Sequence, residues 1–124
     1  MRILADTSVW VEHLRAGSPA LSALLDENLV VVHPFVIGEI ACGNLRNRHA
    51  LLALLGELPR ATVATQDEAL RFMENHRLMG RGIGYVDVHL LASAALLGDA
   101  QLWTLDRRLA KVASELKLGT VQGK

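Results

Sequence analysis

Short apolar runs of strand character alternate with longer stretches of helical period along the whole chain, and this alternation constrains the fold more than any single residue. Ile3–Leu4–Ala5, Leu29–Val30–Val31–Val32 and Gln101–Leu102–Trp103–Thr104 read as strands, the second above all through its β-branched content. Ala61–Thr62–Val63 is a weaker strand, and Gly119–Thr120–Val121 a last edge strand. Between them, Thr7 or Ser8 caps a helix through Trp10, Val11 and Leu14 to Arg15. Ser18 caps another that starts at Pro19. Pro34 opens a helix through Phe35, Ile37 and Ile40 to Gly43, and a further helix spans Asn47 to Leu58, where Pro59 stops it. Thr65 or Gln66 begins a helix to Met79. Tyr85 to Leu97 is a helix ended by Gly98, and Asp106 to Leu116 is the last. Strands alternating with helices give an α/β layered domain around a mainly parallel sheet, with right-handed crossovers. In such folds the working face lies at the carboxyl ends of the strands.

The composition supports such a core. Hydrophobic residues make up 51% of the 124 positions, which excludes a disordered chain, and residues 1–124 are expected to form one domain. Cys42 is the single cysteine and cannot pair within the chain, so a disulfide scaffold is excluded. No apolar run approaches the roughly 20 residues a bilayer crossing needs. Asp6 interrupts the N-terminal MRILADTSVW before a signal-peptide core can form, so a cytoplasmic protein with no membrane contact is expected. Lys and Arg number 13, as do Asp and Glu. Zero net charge argues against nucleic-acid binding by a bulk basic field, though not by a local arrangement.

The acids carry the functional signal. Asp6 directly follows the first strand, and Asp106 follows Leu102–Trp103–Thr104–Leu105. If those strands are central and parallel, both acids lie at one edge of the sheet. Either can also be a helix N-cap. Glu39 shares a helical face with Phe35 and Val36, and Asp87 with Leu90 and Leu91. An ionised carboxylate in an apolar stripe is costly unless it is paired or caps a helix, and capping is open to Asp87 just after Gly84. Four acids at one edge would repel each other and raise their own pKa values. A divalent cation removes that repulsion, and hard oxygen ligands suit Mg²⁺ or Mn²⁺.

In order along the chain, ILADTSVW, VIGEI, GYVDVHLLASA and LWTLDRRL resemble the PIN-domain ribonucleases, and within them the VapC toxins of bacterial toxin–antitoxin pairs. The resemblance covers nearly the whole chain. It implies a three-layer α/β/α fold with a short, mainly parallel central sheet, and a Mg²⁺- or Mn²⁺-dependent endoribonuclease. It also implies a homodimer and an inhibiting antitoxin partner. The family's acidic quartet falls on Asp6, Glu39, Asp87 and Asp106, its small hydroxyl residue on Ser8, and its T-x-D element on Thr104 with Asp106. On this basis Asp6, Asp87 and Asp106 are expected nearest the metal, Glu39 to ligate it or orient water, and Ser8 and Thr104 to hold the carboxylates. Hydrolysis by water that the metal activates would leave 5′-phosphate and 3′-hydroxyl ends.

An acidic pocket needs cations on its rim to admit RNA. Arg107 and Arg108, beside Asp106, are the chosen phosphate contacts, with Arg46, Arg48, Arg77, Arg81 and Lys111 as further candidates. Gly80, Gly82 and Gly84 follow a helix rather than a strand, so they read as a mobile loop able to gate substrate, and not as a dinucleotide fingerprint. The five histidines lack ligand spacing and are expected to be satisfied or solvated. Cys42, Trp10 and Trp103 are expected in the packing. Leu51, Leu52, Leu54 and Leu55 are apolar all round their helix, which marks it as a dimer or antitoxin surface.

Two other functions fit part of the pattern. An aspartyl-nucleophile phosphatase would use Asp6, but its hhhhDxDxT motif needs an Asp where Ser8 stands. A non-catalytic α/β binding or signalling module needs only Asp6, and leaves Glu39 and Asp87 unexplained.

Overall fold

A computed structural model describes residues 1–120 of the chain. The elements run β1 (Arg2–Ala5), α1 (Thr7–Ala16), α2 (Pro19–Asp26), β2 (Val30–Val31), α3 (Pro34–Cys42), α4 (Arg48–Glu57), α5 (Gln66–His76), α6 (Tyr85–Leu97), β3 (Ala100–Trp103) and α7 (Arg107–Glu115). The sheet is parallel throughout with order β2-β1-β3. Ile3 pairs with Val30 on one side and Gln101 on the other. Successive strand side chains point to opposite faces, yet Ile3, Leu4 and Ala5 are all buried. Helices therefore cover both faces, as the α/β/α layering requires.

β1 is central. The chain leaves it toward β2 through α1 and α2, and returns to its other flank as β3. Beyond β3, Leu118 and Thr120 bond Leu102, further out in the sheet. The direction of winding thus reverses between β1 and β3, and a crevice opens at the carboxyl ends of such a strand pair. α6 packs on β3 and α5 and is buried almost all round, from Val88 to Ala94. α7 is amphipathic and buries Leu109, Val112 and Ala113. Among the described residues no helix is long and apolar enough to cross a membrane.

Several boundaries differ from the sequence reading. Asp6, rather than Thr7 or Ser8, caps α1 by accepting from the Val9 N–H. The strand expected at Ala61–Val63 is reduced to one parallel bridge, Val32 with Arg60, because Thr62 and Val63 are exposed and have no layer to pack on. The last edge strand is likewise a single bridge, Leu102 with Gly119, and Val121 lies outside the described residues. α5 stops at His76, not Met79, because Arg77 turns left-handed (φ 54) and the Leu78 N–H returns to the Met73 carbonyl. In α4, Leu51 and Leu55 belong to the core. Only Leu54 of the four leucines is exposed, so that helix is not an open apolar surface.

Candidate active site

Asp6 stands at the carboxyl end of β1 and is 6% exposed. Ser8 Oγ donates to Asp6 Oδ1 and Thr104 Oγ1 to Asp6 Oδ2, each at 2.5 Å. Both hydroxyls are themselves aimed by backbone. The Leu105 N–H donates to Ser8 Oγ, and the Asp106 N–H to Thr104 Oγ1, each at 3.0 Å. Asp6 thus receives two relayed donors besides the Val9 N–H, and such chains polarise one another. Burial pushes its carboxyl above the ordinary value, while these hydrogen bonds pull it back down.

The other three acids arrive on separate helices. Asp106 caps α7, where its Oδ1 accepts from the Arg108 and Leu109 N–H groups, and it is exposed. Asp87 stands at the third position of α6, where its Oδ2 accepts from the Gly84 N–H. The capping reading of Asp6, Asp87 and Asp106 is therefore correct, and it places each acid at a helix start beside the strand ends. Glu39 lies in the middle of α3 and is exposed. Of its two apolar neighbours only Val36 is buried, so Glu39 is not sunk in an apolar stripe. Its Oε1 accepts from Thr7 Oγ1 at 2.6 Å. By local sequence Thr7 is only a candidate helix cap, and a hydroxyl reaching another helix leaves no local signal.

Asp87 senses the other three acids. The Asp87 carboxyl is raised above its ordinary value, first by burial and then by the negative charges of Asp6, Asp106 and Glu39. No cation is paired with any of them among the described residues, whose ion pairs join Arg2–Asp99, Arg15–Glu12 and Arg81–Glu115. The second oxygens of Glu39, Asp87 and Asp106 accept no hydrogen bond from the described residues. No three His, Cys, Asp or Glu side chains among the described residues are gathered tightly enough to hold an ion as they stand. By charge and donor type the set fits a hard divalent cation, with those free oxygens available to it.

The rim is thinner than expected. Arg107 and Arg108 are exposed at the start of α7. Arg48 is spent on the Ala41 carbonyl (2.8 and 2.9 Å) and Arg81 on Glu115, so neither is free for phosphate. The loop expected to be mobile is tied to α7 by the Arg81 pair, and Arg108 lies so close over Gly82 (φ +82) that a Cβ there would sit 2.7 Å from its Cδ. Two histidines are neither fully satisfied nor solvated. His33 and His89 are buried, with His33 Nε2 and His89 Nδ1 unpartnered, and burial pushes His33 down to about 4. Trp10 and Trp103 are core as expected, whereas Cys42 is exposed.

Comparison with known proteins identifies the family. A model of the PIN domain family matches residues 3–115. Ribonuclease VapC32 of Mycobacterium tuberculosis, from the CDC 1551 / Oshkosh and H37Rv strains alike, is 49% identical over 113 residues, which is 91% of this chain and 91% of that protein. The crystal structure of PAE2754 from Pyrobaculum aerophilum matches in fold, with a TM-score of 0.61 over 90% of this chain and 86% of that one at 17% identity. Over nearly its whole length, the chain belongs to the PIN-domain family, in its VapC-type ribonuclease branch.

Proposed function

We propose that this single domain is a divalent-metal-dependent endoribonuclease and the toxin of a toxin–antitoxin pair, with Asp6, Glu39, Asp87 and Asp106 as its acids. The observation that carries the reading is that Asp87 feels the charges of Asp6, Glu39 and Asp106, and that among the described residues none of the four is paired with a cation. The 49% identity to a protein named a ribonuclease supplies RNA as the substrate class. A homodimer, an antitoxin that blocks the site and a cytoplasmic setting complete the proposal.

Asp6, Asp87 and Asp106 hold the metal, Mg²⁺ or Mn²⁺, and Glu39 ligates it or orients water. When bound, the cation supplies an activated water for attack on phosphorus and positive charge for the charge that develops there. Ser8 and Thr104 fix both Asp6 oxygens, and Thr7 fixes Glu39. Arg107 and Arg108 hold the phosphates that flank the cut. The RNA 2′-hydroxyl takes no part.

The test is cleavage of total RNA by the purified protein with Mg²⁺, with Mn²⁺ and with EDTA, beside Asp6→Ala. The proposal expects discrete fragments that need metal, vanish in the variant and carry 5′-phosphate and 3′-hydroxyl ends. Ends with a 2′,3′-cyclic phosphate would reject the water route. A phospho-aspartate at Asp6 would favour the phosphatase, and no cleavage together with no metal binding by calorimetry would favour the binding module.

A further inference from the structure

Beside the acids lies a groove of about 530 Å³ lined by Pro34, Phe35, Gly38, Glu39, Cys42, Tyr85 and Val86. Glu39 belongs both to this groove and to the carboxylate set, so the two are continuous. Of the five aromatic side chains, Trp10 and Trp103 are buried and Phe72 is partly buried, while Phe35 (36%) and Tyr85 (44%) are exposed, and both line the groove. Their rings are braced. Each meets the ring of buried His89 edge to face, Phe35 at 4.9 Å and 67°, Tyr85 at 4.6 Å and 88°. The platform is therefore set by α3 and α6 before any ligand arrives, and little ordering entropy is left to lose.

We propose that Phe35 and Tyr85 form a stacking site for an unpaired nucleobase of the RNA strand. Among the described residues no lysine or arginine lines the groove, and Glu39 repels phosphate, so the backbone is kept out. The face of a base is neutral and flat, and aromatic side chains take it whatever its identity. A strand whose phosphodiester lies at the acids must pass Glu39, and the groove takes the base adjoining the cut. The proposal rests on the ribonuclease reading for its ligand, and its test does not need cleavage.

The experiment is fluorescence anisotropy of a labelled unstructured oligoribonucleotide, with Ca²⁺ in place of Mg²⁺. Wild type, Phe35→Leu and Tyr85→Leu are each titrated with the intact RNA and with RNAs made abasic at each position in turn. Each variant is expected to bind the intact RNA about tenfold more weakly. At one abasic position wild type and variants should bind alike, because the stacked base is gone from both. Variants that bind every RNA like wild type, or lose equally with and without each base, overturn the proposal, as does wild type that binds none of these RNAs. If Tyr85→Leu instead turns a dimer into a monomer by light scattering, the groove belongs to a second copy of the chain and the proposal falls. If the stacking pattern appears but wild type never cuts RNA with Mg²⁺ or Mn²⁺, the platform stands and the nuclease reading fails.

Discussion

Thr104 and Asp6, 98 positions apart in sequence, are joined by a hydrogen bond of 2.5 Å from Thr104 Oγ1 to Asp6 Oδ2, and the same hydroxyl accepts from the Asp106 N–H. One side chain thus ties the acid after β1 to the acid after β3. Thr104→Val keeps the shape and removes the hydroxyl, which leaves the Asp106 N–H and one Asp6 oxygen without this partner. It is expected to destabilise the fold by about 1–3 kcal/mol and to weaken metal binding and RNA cleavage by roughly 10- to 100-fold. Thr104→Ser should restore most of both. Urea unfolding and cleavage rates on the two variants check this, and a fully active Thr104→Val contradicts it.

Asp87 separates function from stability. Its carboxyl is raised by burial and by the three other acids, so the folded state binds its proton more tightly than the unfolded chain does. The ionised form therefore penalises the fold at neutral and higher pH, and the penalty fades as the pH falls toward the ordinary carboxylate range. Asp87→Asn keeps an oxygen for the Gly84 N–H and removes the charge. In metal-free protein it should raise the melting temperature by a few degrees at pH 8, with the gain shrinking toward pH 4, while RNA cleavage is lost. A lower melting temperature at pH 8 contradicts this account.

His33 titrates in the opposite sense. Burial lowers it from 6.5 to about 4, with the nearby His89 adding to the shift. A lowered pKa means that its contribution is complete above pH 6.5 and is lost as the pH falls toward 4. At pH 5 the loss is about 2 kcal/mol. His33→Asn keeps an acceptor for the Phe35 N–H, which His33 Nδ1 caps at 2.9 Å. Denaturant unfolding at pH 7.5 and pH 5 should show a smaller drop for the variant, whatever its absolute stability, and an unchanged drop contradicts the assignment.

Gly82 has a left-handed backbone (φ +82) under the Arg108 side chain. Gly82→Ala is expected to cost about 1–2 kcal/mol, chiefly from that backbone. The far end of Arg108 can swing aside, so the same cost should persist in an Arg108→Ala background. A coupling above about 0.5 kcal/mol in the double-mutant cycle would show instead that Arg108 is held rigidly against the loop.

The chain alternation and the short parallel sheet were legible because strands buried on both faces are apolar without interruption, as in Ile3–Leu4–Ala5 and Val30–Val31–Val32. The two marginal strands were not, since one bridge each at Arg60 and Gly119 depends on which neighbour is in reach. In the site, the partnership of Ser8, Thr104 and Asp6 followed from the motif resemblance. The Thr7–Glu39 bond, the loss of Arg48 to the Ala41 carbonyl and the burial of His33 did not, because each depends on a contact between segments that are separate in sequence or on the packing around it. The reading of Glu39 as sunk in an apolar stripe failed for a related reason: Phe35 on that stripe faces an open groove rather than the core.

The central claim is that the four acids share a divalent cation. Calorimetric titration of Mn²⁺ into metal-free wild type, Asp6→Asn and Asp87→Asn tests it without reference to any RNA. The account predicts saturable binding to wild type and at least a tenfold loss of affinity in each variant, as removal of a ligand or of its charge requires. Equal binding by all three proteins, or none by wild type, would contradict it.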